Sequence, residues 1–226
     1  MKRTPLLERT LPPYTKGEEL FNSISHIVGG AFAIAALALS VIMAALRGNA
    51  WGVVSASIYG ATMVVLYTMS SIYHGLTAPV AKRVFQVIDH CAVFLLIAGT
   101  YTPLTLCALR PQYPVLAWWV FGIVWGIAAL GITLNAIDLK KYAAFSMVCY
   151  LAMGWCLILV IKPVLATVAL PGLLFFLAGG VSYTIGAALY GLGKKRLKYM
   201  HSVFHLFVVL GSILHFFGIL FYVLPL

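Results

Sequence analysis

Seven apolar runs, each close to the roughly 20 residues that carry an α-helix across a bilayer, fill almost the whole chain. We read the spans at 22–46, 51–74, 84–107, 114–134, 142–162, 171–192 and 200–224. Polar breaks separate them at Arg47-Gly48-Asn49, Thr77 to Arg83, Arg110 to Pro114, Asn135 to Lys141, Lys162 to Pro171 and Gly193 to Lys198. Every break is too short for a domain. The expectation is therefore all-α: one seven-transmembrane helical bundle over residues 22–226, preceded by a cytoplasmic N-terminal segment over residues 1–21.

Composition excludes the soluble alternative. Of 226 residues 63% are hydrophobic and only five are acidic, where a soluble domain carries about a quarter charged residues. The net charge of +10 would suit nucleic acid in another setting, but here the positives sit in loops beside membrane helices. Orientation and anionic lipid account for them, and no nucleic acid is expected as a partner. With the N-terminus cytoplasmic, that side receives Lys2, Arg3, Arg9, Lys16, Lys82, Arg83, Lys140, Lys141, Lys194, Lys195, Arg196 and Lys198. The other side receives Arg47, Arg110 and Lys162. Twelve against three predicts an N-terminus inside and a C-terminus outside.

The first 20 residues are polar and the following apolar stretch is too long for a signal-peptide core, so no cleavable signal is expected. Cys91, Cys107, Cys149 and Cys156 all lie within or at the ends of apolar runs, with no Cys-x-x-Cys pair. They read as small hydrophobes rather than disulfides or ligands.

Under this topology several polar side chains fall in one layer. Ser70-Ser-Ile-Tyr-His74 closes the second run, Asp89-His90 begins the third, and His201-Ser-Val-Phe-His205 opens the seventh. Residues four apart share a helix face, so both imidazoles of the last motif can meet one object. Ionisable groups at membrane depth are costly unless something binds them. Three histidines on two helix ends suit zinc, which takes imidazole nitrogen in tetrahedral geometry; three protein ligands leave a fourth position for water. We therefore read His74, His201 and His205 as metal ligands and zinc as the cofactor. Zinc can bring the pKa of bound water to about 7. Asp89 would orient that water or take its proton, and Ser70, one turn before His74, would hydrogen-bond to the carboxylate or the water.

Each part has a plainer reading. His-x-x-x-His also bridges membrane helices by hydrogen bonds, His74 also suits the headgroup level, and Asp89 also suits a helix cap. His90 lies about 100° round the helix from Asp89 and reads either as a support behind the site or as interhelical. Glu19, Asn22 and His26, at three- and four-residue spacing on the entry to the first helix, brace the site or close its mouth, and Glu19 and Asn22 equally suit a helix cap. His215, about 15 Å beyond His205, is too far to share an ion and reads as a buried hydrogen bond. Gly122 and Gly126 read as a close-approach pair, Pro103 as a bend in the third helix, and Gly179-Gly180 as a bend or as room for a lipid chain.

The segments Ser70 to His74, Asp89-His-Cys-Ala-Val-Phe-Leu-Leu-Ile-Ala-Gly-Thr-Tyr-Thr-Pro103 and His201 to His205 resemble the bacterial hemolysin III family, akin to the progestin and adipoQ receptors and, more broadly, the alkaline ceramidases. The resemblance runs from Glu18 to Tyr222. It implies that His74, His201 and His205 hold zinc, that Asp89 contacts the zinc-bound water and that Ser70 lies beside it. It also implies a multi-pass protein of the bacterial plasma membrane, membrane lipids as partners, and a zinc-dependent hydrolase of lipid amide or ester bonds. Only a short polar stretch precedes the first span and the chain stops after the seventh, so no soluble protein ligand is expected. Two further readings stand beside the hydrolase: a non-enzymatic regulator of membrane energetics or lipid state with structural zinc, and a cytolysin or channel.

Overall fold

Residues 3–193 and 198–226 are described in the computed structural model of the protein. The chain is 85% helical, with no strand among the described residues, and seven helices are long and apolar enough to cross a membrane. They are α1 (Lys16–Leu46), α2 (Ala50–Gly75), α3 (Pro79–Pro103) with its continuation, α4 (Pro114–Asp138), a composite fifth span, α7 (Leu170–Gly193) and α8 (Met200–Tyr222). The fifth span joins α5 (Ala143–Trp155) to α6 (Ile161–Thr167) through a 3-10 stretch, Cys156–Val160. Of the basic residues in the charge comparison, Lys2, Lys194, Lys195 and Arg196 lie outside the described residues.

Local chemistry sets the helix ends. α1 begins six residues before the expected start at 22, because Thr15 and Glu18 form a reciprocal capping box. The Thr15 backbone N–H donates to Glu18 Oε2 at 2.8 Å, and Thr15 Oγ1 accepts from the Glu18 N–H at 3.3 Å. Asn49 caps α2 by accepting from the Gly52 N–H at 3.0 Å. Pro79 and Pro114 occupy first-turn positions of α3 and α4, where a missing N–H costs nothing. Pro103, expected to bend the third helix, ends its α-helical part, and the chain continues as a wider π-helical stretch, Leu104–Leu109.

α1 packs on α2, α2 on α3 and α7 on α8, and α8 returns against α1. The third span, from Pro79 to Leu109, runs through the middle: 83% of its most apolar stretch is buried, against 17% in the fifth span. The close helix approaches do not fall where the Gly122/Gly126 pair suggested. A methyl group on either would meet nothing within 4 Å, so these two glycines face open space on α4. Close approach occurs instead at Gly60, where a Cβ would lie 2.6 Å from Leu37 Cβ and 2.8 Å from Leu37 Cα across the α1–α2 contact. Gly179 gives its space to the His215 ring, and Gly180 borders an internal cavity. The small residues that matter are thus set by which large side chain crosses over them, which spacing alone does not reveal.

Cys107 is buried, Cys91, Cys149 and Cys156 are half-buried, and all four are free thiols, as the spacing implied. Hydrogen bonds linking α1, α2 and α8 gather the start of α1, the end of α2 and the start of α8 at one end of the bundle, called here the N-terminal end. That gathering is what builds the site.

Candidate metal centre

His74 comes from the last turn of α2 and His201 and His205 from the first two turns of α8. Facing nitrogens of the three lie within 4.8 Å of one another. His201 Nε2 stands 3.2 Å from His74 Nε2 and 3.1 Å from His205 Nε2. The rings are buried, with relative exposures of 3%, 9% and 1% for His74, His201 and His205. The sequence placed these three side chains in one layer, and the fold brings their nitrogens to one point.

Hydrogen bonds on the far side of two rings fix which nitrogen faces inward. His74 Nδ1–H donates to Glu19 Oε2 at 2.6 Å. His205 Nδ1–H donates to the Asn22 carbonyl oxygen at 3.3 Å. Both tautomers leave Nε2 as a bare lone pair aimed at the cluster. A single proton on His201 Nε2 could satisfy only one of them. A cation satisfies all three at once: metal–nitrogen bonds of about 2.0–2.1 Å in tetrahedral array place ligand nitrogens about 3.3 Å apart. The observed 3.1 and 3.2 Å are close to that separation. The donor set fits a divalent ion that accepts imidazole, and these three histidines could hold one.

Around the three rings lies a second layer, most of it from α1. Glu19 Oε1 takes the Lys82 ammonium at 2.9 Å while Oε2 holds His74. Lys82 also donates to the Tyr73 and Leu76 carbonyl oxygens at 3.1 and 3.0 Å, so it ties the last turn of α2 to α3. Asn22 Oδ1 accepts from Ser202 Oγ at 2.6 Å, joining α1 to α8. Thr15 caps the helix, so Glu19 and Asn22 do not, and their contacts to His74 and Ser202 brace the site. Carboxylate and carbonyl groups behind ligating histidines are the usual partners that orient such rings.

His26, one turn further, stacks on His205 with ring centroids 3.7 Å apart and planes 10° apart, and meets Tyr67 edge-on at 5.1 Å. It is buried, and neither ring nitrogen has a hydrogen-bond partner among the described residues. Ser70 Oγ is likewise buried without a partner, so the expected bond from Ser70 to the Asp89 carboxylate is not made. Asp89 lies well inside α3, which begins at Pro79, and so does not cap it. Its Oδ2 stands 3.5 Å from Nδ1 of the neighbouring His90. His90 Nδ1–H donates to the Gln86 carbonyl at 2.9 Å, and the His90 carbonyl accepts from the Tyr150 hydroxyl at 2.7 Å, an interhelical tie to α5. His215, deeper in α8, donates from Nε2 to the Phe176 carbonyl at 3.1 Å, as its distance from the cluster implied.

Ser70, Asp89, His26, His201 and His205 border one cavity of about 180 Å³ that runs between α3, the fifth span, α7 and α8 as far as His215. The rest of its wall is mostly aliphatic and aromatic, including Leu66, Leu96, Ile97, Trp155, Phe204 and Val208. A histidine cluster therefore stands at one end of a largely apolar hollow, with the Asp89 carboxylate and the Ser70 hydroxyl in the same wall.

Spacing did not single out Tyr14, Glu18 or Ser202. Tyr14 lies on His201 with centroids 5.0 Å and planes 10° apart, and burial holds its phenol well above the ordinary range, so it is neutral. Glu18 Oε1 accepts from the Tyr199 N–H at 2.8 Å, fastening the start of α8 to that of α1. Besides the spacing of Glu19, Asn22 and His26, the threonine–glutamate capping pair at 15–18 is a legible signal for this layer, since it starts the helix before Glu19.

A family model described as Haemolysin-III related matches residues 14–216. The chain is 39% identical over 208 residues to Hemolysin-3 of Bacillus cereus, covering 92% of this chain and 93% of the relative. It is 37% identical over 209 residues to a Hemolysin-3 homolog of Bacillus subtilis (strain 168), covering 92% and 96%. At 25% identity over 192 residues it is also similar to the human Monocyte to macrophage differentiation factor, covering 82% of this chain and 77% of that one. No solved structure matches. With seven apolar helices and these relatives, the protein is a multi-pass membrane protein, consistent with the bacterial cell membrane. The chain belongs to the haemolysin-III-related family.

Proposed function

We propose that the protein is a zinc-dependent hydrolase of lipid amide or ester bonds, with its site near the cytoplasmic face and its C-terminus outside. The observation that carries this reading is three imidazoles converging at the end of an apolar cavity whose wall also holds Asp89 and Ser70. His74, His201 and His205 would hold the ion, and Glu19 and the Asn22 carbonyl keep His74 and His205 in the required tautomer. Zinc bound there supplies a Lewis acid that polarises a carbonyl and makes water more acidic. Asp89, one of five acids in the chain, accepts the proton of the attacking water at its carboxylate oxygen. The Ser70 hydroxyl, buried and without a partner among the described residues, orients that water, and the aliphatic wall excludes bulk solvent and takes the acyl chain. The cytoplasmic placement rests on the twelve-to-three division of basic residues.

Purified protein assayed for bound metal and for turnover of lipid amides and matched esters tests the reading. Asp89→Asn should keep its metal and lose about 10²- to 10⁴-fold in turnover, the usual contribution of a general base. A metal-replete Asn variant with undiminished turnover removes Asp89 from the chemistry, and a wild type without bound divalent ion removes the whole reading. A wild type that holds zinc and tolerates Asp89→Asn, with no turnover of either lipid, would instead favour a regulator with structural zinc. The name of the Bacillus relatives denotes membrane lysis, and leakage of red cells exposed to purified protein measures that directly.

A further inference from the structure

The segment before α1 lies across the N-terminal end of the bundle, fastened at several points. The Thr4 N–H donates to Asp138 Oδ2 at 3.0 Å, at the end of α4. Arg9 is 7% exposed and donates from Nη2 to the Ile137 carbonyl at 2.7 Å. The Arg9 carbonyl accepts from Arg83 Nε of α3 at 2.8 Å. The Thr15–Glu18 capping box then closes the segment onto α1, and Glu18 reaches Tyr199 at the start of α8. Pinned between the Arg9 anchor and the helix start, Tyr14 lays its ring on His201 and tilts against His74 with centroids 5.9 Å apart.

The ring stands at a partition. Beneath the segment is a polar vestibule of about 740 Å³, lined by Arg9, Tyr14, Glu18, Lys140 and Lys198 among others. Beyond it is the apolar cavity of about 180 Å³. His90, Met147, Tyr150, Tyr190 and His201 line both, whereas Tyr14 lines the vestibule alone. His201 is therefore the cluster residue that faces both spaces, and Tyr14 covers its vestibule side. His74 and His205 are oriented by hydrogen bonds at Nδ1, and His201 packs among the rings of Tyr14, Tyr190 at 5.2 Å and Phe204 at 5.8 Å.

We propose that Tyr14 is a positioning residue for the metal centre, held by the N-terminal strap so that its ring fixes the His201 imidazole and slows escape of the ion into the vestibule. The inference rests on the metal-centre reading above. Stacking requires the ring and not the hydroxyl, so Tyr14→Phe keeps the function and Tyr14→Ala loses it. Loosening the strap at a distance, by Arg9→Ala with Tyr14 intact, acts in the same direction.

The test uses the full chain in detergent, loaded with Zn²⁺ and then with Co²⁺. Release of Zn²⁺ to an excess of a coloured water-soluble chelator gives the rate of escape through the vestibule. Tyr14→Ala should release about tenfold faster, at the lower end of what loss of a group behind a metal ligand does, and Tyr14→Phe should match wild type. The visible bands of the Co²⁺ protein should shift in Tyr14→Ala and stay in Tyr14→Phe, a response that general loosening elsewhere in the fold does not give. Arg9→Ala should release faster than wild type, and it tests the strap even where Tyr14→Ala fails to fold. Wild-type release rates and an unshifted Co²⁺ spectrum in folded Tyr14→Ala, or a wild-type release rate in folded Arg9→Ala, overturn the proposal while leaving the metal centre standing. A wild type that binds neither ion overturns both.

Discussion

Replacing Glu19 separates two contributions that the geometry places on one side chain. Its Oε2 accepts from His74 Nδ1 at 2.6 Å and its Oε1 meets Lys82 at 2.9 Å. Glu19→Gln keeps length and an acceptor oxygen, so the His74 tautomer is retained, but a charge-assisted hydrogen bond becomes a neutral one. Hydrogen bonds to charged groups contribute about 1.5–3 kcal/mol and neutral ones about 0.5–1.5, so the change costs about 1 kcal/mol. Since about 1.4 kcal/mol is tenfold in an equilibrium constant, metal affinity should fall roughly five- to tenfold. Glu19→Ala removes the acceptor altogether, leaving the buried Nδ1–H without that partner, a loss of about 2–3 kcal/mol and roughly 30- to 150-fold. Competition with a chelator of known affinity, on protein whose helicity matches wild type, reads both values. The graded order, wild type tighter than Gln and Gln tighter than Ala, is what the hydrogen bond to His74 requires. Equal affinities for all three proteins would show that Glu19 does nothing for the ion. A Gln variant as weak as Ala would show that charge alone, and not orientation of the ring, is its contribution.

Three other outcomes follow from the same packing. Thr15→Ala removes one side of the capping box, so thermal stability in detergent should fall by about 1 kcal/mol, and unchanged stability would mean that α1 is set by packing alone. Gly60→Val forces a side chain into Leu37 where a Cβ already has no room and should cost about 1–3 kcal/mol, whereas Gly122→Val, in open space, should be neutral; equal effects would refute the assignment of the close approach to α1–α2. His74→Ala removes one of three converging nitrogens, and bound divalent metal should drop from about one equivalent to none after dialysis, as measured by elemental analysis.

The span count and the layer holding His74, His201 and His205 were legible because both depend on one-dimensional quantities: hydropathy over a bilayer thickness, and distance from a helix end. The structure starts α1 earlier than hydropathy places the span, because the polar residues 16–19 read as an extramembrane segment although Thr15 and Glu18 spell a capping box. Shifting that start sets Glu19 beside His74, so the boundary and the brace are the same fact. Gly122 and Gly126 misled for the opposite reason, since a four-residue spacing of small residues says which side of α4 is thin and nothing about what lies against it. Tyr14 was illegible because its role depends on contacts between a non-helical stretch and three helices far away in sequence. No period or spacing encodes such a path.

The placement of the histidine cluster also constrains what a reaction there could be. A lipid bond and a water molecule are drawn from different phases, and a site that joins them must touch both without letting them mix. His201 borders the apolar cavity and the polar vestibule alike, and the aromatic rings of Tyr14, Tyr150 and Tyr190 stand around that junction. Had the cluster lain in mid-bundle, where His215 already donates to the backbone carbonyl of Phe176, water would have needed a long polar path through Val208 and Phe216. Had it lain outside the bundle, the acyl chain would have been left in solvent. The position at the first two turns of α8 and last turn of α2 suits the proposed hydrolase, and that proposal predicts that substitutions lining the cavity, such as Leu96→Trp, reduce turnover of long-chain substrates more than of short ones while leaving metal content unchanged. An equal effect on both chain lengths would mean that the acyl chain lies elsewhere.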